Sequence, residues 1–418
     1  MNIRNTDRLA WFVGICILLP MFFQINGGIY RDAFPITDSQ GLLTKLPLPL
    51  SIVGCSVALV YLASQWRKAY LAMVMVVSVV VTGLLSIWLG GDGITSPQRK
   101  LLVLAQVCLP LMGLLLGQML DDPRKMVARS FLVVISVMLP LQLISTWVQG
   151  GLMLTHYVYA FSVYSHLQYV TLIIVCGYAF ALTSLWDEQR LWLCLVALPM
   201  ALYLAASLSF LTIFAFMALV TVFAACRLWQ YRKNLKFIMF SLLVLALIAM
   251  AGLFYYSQIK RETTLVEGRQ GIYTSKFKIL SEGKLPVNVL ERLDDWRLFG
   301  RGIVESKTTL FVGHAQPMPR EIRSSPHNFY IDTAYTFGVL GLLPILGLIG
   351  FTAYLSWRRR KNLSASTWWL LAIVAYLVLV DSNFKVTLRQ PYPGIFTYFL
   401  WGLLLTRLRN VPAGKSTL

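Results

Sequence analysis

The sequence predicts an all-α, polytopic membrane protein, and three observations indicate this fold class. Of the 418 residues, 57% are hydrophobic and 13% are charged, whereas about a quarter of the residues in a soluble domain are charged. The mean hydropathy of the chain is +0.66. The apolar residues form runs that are about long enough, as helices, to cross a ~30 Å hydrocarbon core.

About twelve of these runs are expected to be transmembrane helices. The first follows a short polar segment with Arg4 and Arg8, and because no small-residue cleavage pattern follows it, we expect an uncleaved helix rather than a signal peptide. The predicted spans are residues 9–25, 48–64, 71–89, 101–120, 130–148, 170–186, 191–207, 210–228, 237–256, 335–356, 367–380 and 394–408.

The distribution of basic residues predicts the orientation of these spans. The short loops on one side contain nineteen Lys and Arg residues, and the short loops on the other side contain six. By the positive-inside rule both termini are therefore cytoplasmic. This pattern accounts for the formal net charge of +19, so we expect no nucleic-acid partner. The predicted domains are helices 1–9 (1–256), a large extracytoplasmic loop (257–334), and helices 10–12 with a short cytoplasmic tail (335–418).

The large loop has the composition of an ordered and functional segment. Its apolar residues predict two short amphipathic helices on the membrane surface, Arg269–Leu280 and Leu290–Phe299, the second ending at Gly300-Arg301-Gly302. Residues 257–331 contain twelve basic and eight acidic side chains. This excess indicates either a solvated loop beside anionic headgroups or arginines that hold a phosphate or diphosphate, whose oxygens guanidinium binds bidentately.

The end of the loop contains the strongest candidate for chemistry. Ser325 is a good N-cap and Pro326 suits the first helical position, which would place His327 and Asn328 in the first turn of a long helix. The positive end of the helix dipole disfavours imidazolium there, so His327 would stay neutral and able to accept a proton. The alternative is a capping turn with a surface histidine.

The length of this helix, and the absence of other recognisable sites in the sequence, extend the hypothesis that His327 is catalytic. A helix from His327 to Ser356 would be about 45 Å long against a ~30 Å core, so its first turn would lie near the outer headgroups, where a lipid diphosphate is held. The four histidines have no metal-site spacing and the six cysteines form no CxxC pair, so we expect neither a metal nor another cofactor. Few charges lie at membrane depth, which argues against an ion-coupled transporter.

Three short motifs resemble those of the bacterial O-antigen ligase and O-antigen polymerase superfamily, a group of polytopic membrane glycosyltransferases. The first is His327-Asn328 followed after nine residues by Gly338-Val339-Leu340-Gly341. The second is Gly268-Arg269-x-x-x-Tyr273, and the third is the apolar-Gly-x-Gly turn Leu298-Phe299-Gly300-Arg301-Gly302. The specific similarity covers about residues 265–345.

The resemblance implies a substrate class, partners and a location. Members of this superfamily transfer a glycan from undecaprenyl diphosphate and release the lipid diphosphate. The acceptor is a sugar hydroxyl of lipid A-core in the ligases and a second lipid-linked glycan in the polymerases. For this chain the resemblance implies those partners, contact with membrane lipids, and a bacterial inner-membrane location with the active site facing the periplasm.

The resemblance also assigns roles to individual residues. His327 corresponds to the histidine that activates the acceptor, and Arg269 to an arginine that binds the diphosphate. Tyr273, Asn328 and Arg301 stand in the matching motifs and are expected to contact substrate. Arg389, in the last external loop, matches a further basic position.

One departure from the ligase pattern leaves the acceptor open. Ligases carry a Ser/Thr-Arg pair at the external end of a middle span, whereas the corresponding stretch, Ser207-Leu208-Ser209-Phe210-Leu211, has no arginine. Either Arg323 or Arg389 takes its place, or the chain is a polymerase, because polymerases vary more in sequence. A transporter of lipid-linked glycan is a third hypothesis, and it should show polar residues along a path at membrane depth.

Overall fold

A computed structural model of the full chain describes residues 3–23, 47–89, 104–120, 124–148, 167–207, 210–230, 283, 287–315, 318, 322 and 325–412. Every regular element in these ranges is helical, which confirms the all-α prediction for them. The predicted span 237–256 and most of the large loop, including Arg269, Tyr273, Arg323 and the predicted helix 269–280, lie outside the described residues.

The helices are numbered here in chain order. They are α1 (Ile3–Leu18), α2 (Pro47–Tyr61), α3 (Tyr70–Leu89), α4 (Leu111–Met119), α5 (Arg124–Val148), α6 (Leu167–Ser207), α7 (Phe210–Gln230), α8 (Val287–Ile303), α9 (Lys307–Val312), α10 (Phe329–Arg359), α11 (Ala365–Ala375) and α12 (Pro391–Asn410). A π-helical segment, Tyr376–Asp381, and a short helix, Ser382–Phe384, extend α11, and a 3₁₀ turn, Thr387–Arg389, precedes α12.

The helices have the length and surface of membrane-spanning elements. Within the described ranges, five helical stretches are long and apolar enough to cross a bilayer: Ala63–Leu89, Arg124–Val148, Val170–Ser207, Phe329–Asn362 and Ala365–Phe384. Large apolar side chains point outward, among them Trp88 at 79% exposure and Val148 at 81%. Such surface is stable against lipid tails, which supports a membrane protein. The number of twelve spans and their orientation stay predictions.

The chain divides into two compact units. One comprises Met1–Leu9, Val53–Pro123 and Ile279–Leu418, and the other comprises Ala10–Ile52 and Arg124–Lys278. In the second unit α5 packs along the first part of α6. The buried Arg124 side chain holds the two helices together, because its guanidinium donates to the Ser184 hydroxyl at 2.6 Å and to the Thr183 carbonyl at 2.9 Å.

Helix α6 reverses direction at Gln189. The backbone of this residue has φ −135° and ψ 38°, outside the helical range. In a continuous helix, residues fifteen positions apart would be about 22 Å apart, yet the Tyr178 hydroxyl donates to the Leu193 carbonyl at 2.9 Å. The predicted spans 170–186 and 191–207 are therefore two separate helical arms that pack side by side.

In the first unit, α4 and α12 cross with their backbones in close contact. A Cβ on Gly113 would lie 2.0 Å from the Ile395 carbonyl oxygen, and a Cβ on Gly117 would lie 2.4 Å from the Phe399 carbonyl oxygen. Small residues allow this approach between membrane helices, where packing rather than hydrophobic burial provides the attraction. The crossing is formed by described parts of the predicted spans 101–120 and 394–408.

Helix α10 is interrupted at Gly338, which has φ +67°. The interruption removes the helical N–H partners of the Tyr335 and Thr336 carbonyls. The backbone N–H groups of His314 and Ala315 replace those partners, donating to Tyr335 at 2.9 Å and to Thr336 at 2.8 Å. The segment after α9 therefore completes the backbone hydrogen bonding of α10.

The contact at this break requires glycine on both sides. Gly313 has φ +74°, and a Cβ there would lie 2.5 Å from the backbone nitrogen of Gly338. A Cβ on Gly338 would lie 2.2 Å from the Phe311 carbonyl oxygen. The Ser86 hydroxyl of α3 also donates to the Thr336 carbonyl, at 3.2 Å. Three elements thus meet at one break in α10.

Helix α8 confirms one prediction and corrects another. A helix covers the predicted stretch Leu290–Phe299, but the prediction that it ends in a Gly-Arg-Gly turn is wrong, because the helix continues to Ile303. Gly302 stays helical, and its missing side chain makes room for Tyr335, whose Cε2 would lie 2.7 Å from a Cβ there. The glycine serves close packing rather than a turn.

The α4–α12 crossing predicts a large effect of a single methyl group. Gly117→Ala should lower the free energy of unfolding by about 2 kcal/mol, because the new Cβ meets backbone that cannot rotate away. Unfolding of the purified protein in detergent measures the change. Gly350→Ala is the matched control, since a Cβ on Gly350 in α10 meets nothing within 4 Å. Equal stability of the two variants would contradict the close crossing.

Candidate functional site

The backbone at the start of α10 differs from the prediction by three residues. Asn328 is the N-cap and the helix begins at Phe329, so the prediction of a Ser325 cap with Pro326 at the first helical position is wrong. His327 lies immediately before the cap rather than in the first turn. Ser325 has another role, because its hydroxyl oxygen accepts a hydrogen bond from the His327 N–H at 3.1 Å.

Both polar atoms of the Asn328 side chain form hydrogen bonds at the start of α10. Its Oδ1 accepts from the N–H groups of Tyr330 at 2.9 Å and Ile331 at 3.1 Å, which satisfies two donors that an α-helix leaves open. Its Nδ2 donates to Oδ1 of Asn383 at 3.2 Å. Asn328 is buried, and its side chain is hydrogen-bonded to other groups of the protein. Its contact with substrate stays a prediction.

The π-helical extension of α11 holds this end of α10 in place. Side chains satisfy three of its carbonyl groups: the Tyr330 hydroxyl donates to Val378 at 2.7 Å, the Asn383 amide to Leu379 at 2.6 Å and the Ser382 hydroxyl to Leu377 at 2.9 Å. Segments of π-helix occur frequently at functional sites. Here the segment fixes Tyr330 and Asn383, two residues that also hydrogen-bond to the Asn328 side chain.

His327 has a constrained backbone and a ring nitrogen with unused hydrogen-bonding capacity. Its φ is +51°, a left-handed conformation that costs roughly 1–2 kcal/mol for most side chains. The ring is half-buried, and its Nδ1 is enclosed with no hydrogen-bond partner among the described residues. Strain of this kind concentrates at functional sites.

The electrostatic surroundings keep His327 neutral. Burial lowers the pKa of its imidazole below 6.5, the ordinary value for histidine, and the positive charge of Arg292 lowers it further. The carboxylate of Asp295 acts in the opposite direction without cancelling these effects. At neutral pH the ring is therefore unprotonated and can accept a proton, as the sequence predicted, although burial rather than the helix dipole is the main cause.

Helix α8 forms one wall of the site. The Trp296 indole N–H donates to the Pro326 carbonyl at 2.9 Å, which fixes α8 against the residue before His327. Arg292, Asp295 and Trp296 were not among the residues predicted for the site. Their spacing of three and four residues places them on one helical face, but only the contact with Pro326 reveals that this face meets His327.

Arg389 is held by a buried ion pair. Its guanidinium lies 2.5 Å from the Asp332 carboxylate, and the two side chains are 20% and 4% exposed. Asp332 lies in the first turn of α10, so the 3₁₀ turn that contains Arg389 is tied to the same helix end as His327. The structure therefore brings together His327, Asn328 and the element that contains Arg389.

Arg301, the other predicted arginine that the structure describes, is not joined to this group. Arg301 is exposed in the last turn of α8. Arg269 and Arg323, with Tyr273, lie outside the described residues. His314 stacks on Tyr335 at a ring-centroid distance of 4.2 Å, and its Nε2 is 3.1 Å from the Gly302 carbonyl oxygen. His314 therefore supports the α8–α10 contact.

The part of the chain that the structure describes contains no group of three or more His, Cys, Asp or Glu side chains that could hold a metal ion. Comparison with known proteins finds no matching protein family and no significantly similar curated protein. The likeness to O-antigen ligases and polymerases therefore rests on the motifs alone, and the function it implies is a proposal.

The Asp332–Arg389 pair predicts a strong dependence of stability on one carboxylate. Asp332→Asn should lower the free energy of unfolding by about 3 kcal/mol, because a largely buried guanidinium loses its counter-charge. The measurement is detergent-based unfolding. Asp294→Asn is the control, because its pair with Arg297 is 65–74% exposed and should contribute less than about 0.5 kcal/mol. Similar losses in both variants would refute a structural role for the buried pair.

Proposed function

We propose that the protein is a membrane glycosyltransferase of the O-antigen ligase type. It transfers a polysaccharide from undecaprenyl diphosphate to a sugar hydroxyl of lipid A-core in lipopolysaccharide biosynthesis. The observation that carries this proposal is His327, a neutral and half-buried histidine held in a strained backbone at the end of a long apolar helix. The His-Asn and Gly-x-x-Gly motifs around it supply the resemblance.

The proposed step is a displacement at the anomeric carbon of the donor sugar. His327 removes the proton from the acceptor hydroxyl while the hydroxyl oxygen forms a bond to that carbon. The bond between the carbon and the diphosphate oxygen breaks, and the electron pair leaves with the undecaprenyl diphosphate. The proton remains on His327 as imidazolium until water or the leaving group removes it.

Arginines are proposed to hold the diphosphate and stabilise the charge that develops on it. Arg269, with Tyr273, is the main candidate from the motif, and Arg301, Arg323 and Arg389 are further candidates. Arg389 is the one whose surroundings are described, and its pairing with Asp332 leaves some of its five N–H donors for a substrate. Asn328 contributes by fixing the backbone next to His327.

A polymerase activity is the second candidate function. It is favoured by the absence, near Phe210, of the arginine that ligases carry in a middle span. In that reaction the acceptor is a second lipid-linked glycan, and the roles of His327 and the arginines are unchanged. A transporter of lipid-linked glycan is less favoured. The buried acids that end the α11 extension and begin α10 are each matched by a basic side chain, which suits a fixed structure better than a transport path.

The proposed location follows from charge distribution and from the lipid substrate. We place the protein in the bacterial inner membrane with both termini in the cytoplasm and His327 facing the periplasm. Reporter fusions after residues 120 and 320 would test this arrangement. The first should report a cytoplasmic position and the second a periplasmic one.

The proposed function predicts that glycan transfer depends completely on the imidazole of His327. His327→Asn should abolish glycan transfer, because asparagine tolerates the left-handed backbone but accepts no proton near neutral pH. The assay uses reconstituted protein with a lipid-linked glycan donor and, separately, lipid A-core or a second lipid-linked unit as acceptor. The acceptor that reacts decides between ligase and polymerase.

The thermal midpoint of the His327→Asn protein serves as the control for folding and should match the wild type. Retained transfer by a folded His327→Asn variant would refute the mechanism.

The lowered pKa of His327 predicts the pH dependence of transfer. Because the neutral ring is the active form, kcat/KM should be constant at neutral pH and above, and fall as the pH drops through the lowered pKa. The same shift makes the fold bind fewer protons than the unfolded chain, so stability should also decrease on acidification through this range. An activity that rises as the pH falls below 6.5 would contradict a basic role for His327.

A further inference from the structure

One face of α8 brings a positive charge to His327. Arg292, Trp296 and Phe299 are spaced by four and three residues, so they lie on the same side of the helix. Trp296 donates to Pro326 at 2.9 Å, and the buried Phe299 packs edge-on against Tyr335 of α10 with ring centroids 5.0 Å apart. Two contacts therefore fix this face against the start of α10.

Arg292 lies one helical turn, about 6 Å, before Trp296 on that face. Its guanidinium is close enough for its charge to act on the imidazole of His327. The side chain is half-buried, and no ion pair or hydrogen bond engages it among the described residues. A half-buried guanidinium beside a neutral histidine has donors available for an anion.

The other arginines of α8 have different surroundings. Arg297 is exposed and pairs with Asp294. Arg301 follows Arg292 by nine residues, which at 100° per residue places it on the opposite side of the helix. Arg292 is therefore the basic residue of α8 that the fold directs to His327.

The remaining charges near the start of α10 do not compete for this role. Asp295 shares the face of Arg292 and is buried. The other charged side chains that the structure describes at this helix end belong to two buried ion pairs, Asp332–Arg389 and Asp381–Lys385.

We propose that Arg292 binds phosphate oxygens beside His327, and that in the proposed reaction these oxygens belong to the diphosphate of the lipid-linked donor. This inference rests on the proposed function for the identity of the ligand. It assigns a residue that the sequence motifs do not mark. A guanidinium binds two oxygens of one diphosphate through a rigid planar fork, whereas a lysine ammonium acts as a point charge without that fixed geometry.

Binding of the donor diphosphate at Arg292 would also change how readily His327 accepts a proton. In the free protein the charge of Arg292 disfavours imidazolium at His327. A diphosphate on Arg292 supplies negative charge that offsets this effect, so the bound donor makes His327 a better proton acceptor. By linkage, the protonated histidine must in turn bind the diphosphate more tightly.

The test measures binding of undecaprenyl diphosphate to full-length protein in nanodiscs of phosphatidylcholine. Arg292→Gln should raise the Kd about tenfold or more, because a charge-assisted bidentate contact is lost. Arg292→Lys should fall between this variant and the wild type. Arg297→Gln, at an exposed position of the same helix that pairs with Asp294, is the matched control and should bind like the wild type.

A second readout separates a binding role from a merely structural one. NMR of ¹³C-histidine-labelled protein, with His327→Asn to assign the signal, follows the titration of His327. Arg292→Gln should raise the His327 pKa in the free protein. Undecaprenyl diphosphate should raise it in the wild type but not in Arg292→Gln.

Three results would overturn the proposal. One is equal binding by Arg292→Gln and Arg297→Gln, and another is an unchanged His327 titration in Arg292→Gln. The third is displacement of the diphosphate by phosphatidylglycerol at equal concentration, which would identify a site for ordinary anionic headgroups. If the wild type binds the diphosphate through Arg292 but transfers no glycan to any acceptor, the proposed function fails while the phosphate site stands.

Discussion

The structure depends on one constraint: every backbone polar group must find a partner where helices are irregular inside an apolar protein. At Gly338 the freed carbonyls of α10 receive N–H groups from the segment after α9. At the start of the same helix Asn328 satisfies the open N–H groups. The π-helical extension of α11 has two of its carbonyls satisfied by Tyr330 and Asn383. The hydrogen bonds at Gly338 and the one from Tyr330 to Val378 join groups distant in sequence, so these irregular points also tie the helices together.

This arrangement explains why a strained histidine can be held at the site. His327 lies between the Asn328 cap and Pro326, whose carbonyl is bound by Trp296. Because both neighbouring residues are fixed, their contacts offset the free-energy cost of the left-handed backbone at His327. The charge of Arg292 on α8 and the burial of the imidazole then lower the pKa of His327. Backbone geometry and charge at this position therefore have a common origin in the packing of α8 on α10.

Much of the helical framework could be predicted from the sequence, because runs of apolar residues determine both helix and membrane location. The detailed arrangement of the site around His327 could not be predicted in this way. Ser325 and Asn328 are both good caps, and Asn328 is the one whose amide also reaches Asn383, fifty-five residues away. Arg292 has no local signal that separates it from the other arginines of α8. The identity of the cap and of the neighbouring cation depends on tertiary contacts, which local spacing does not encode.

The reversal of α6 at Gln189 has a consequence for the rest of the chain. As one straight rod, the 38 residues of Val170–Ser207 would extend about 57 Å, nearly twice the ~30 Å hydrocarbon core. Folded back, they form two arms of about half that length. If both arms cross the membrane, one non-helical residue sets whether the number of crossings before His327 is odd or even. Gln189 would then determine on which side of the membrane His327 emerges.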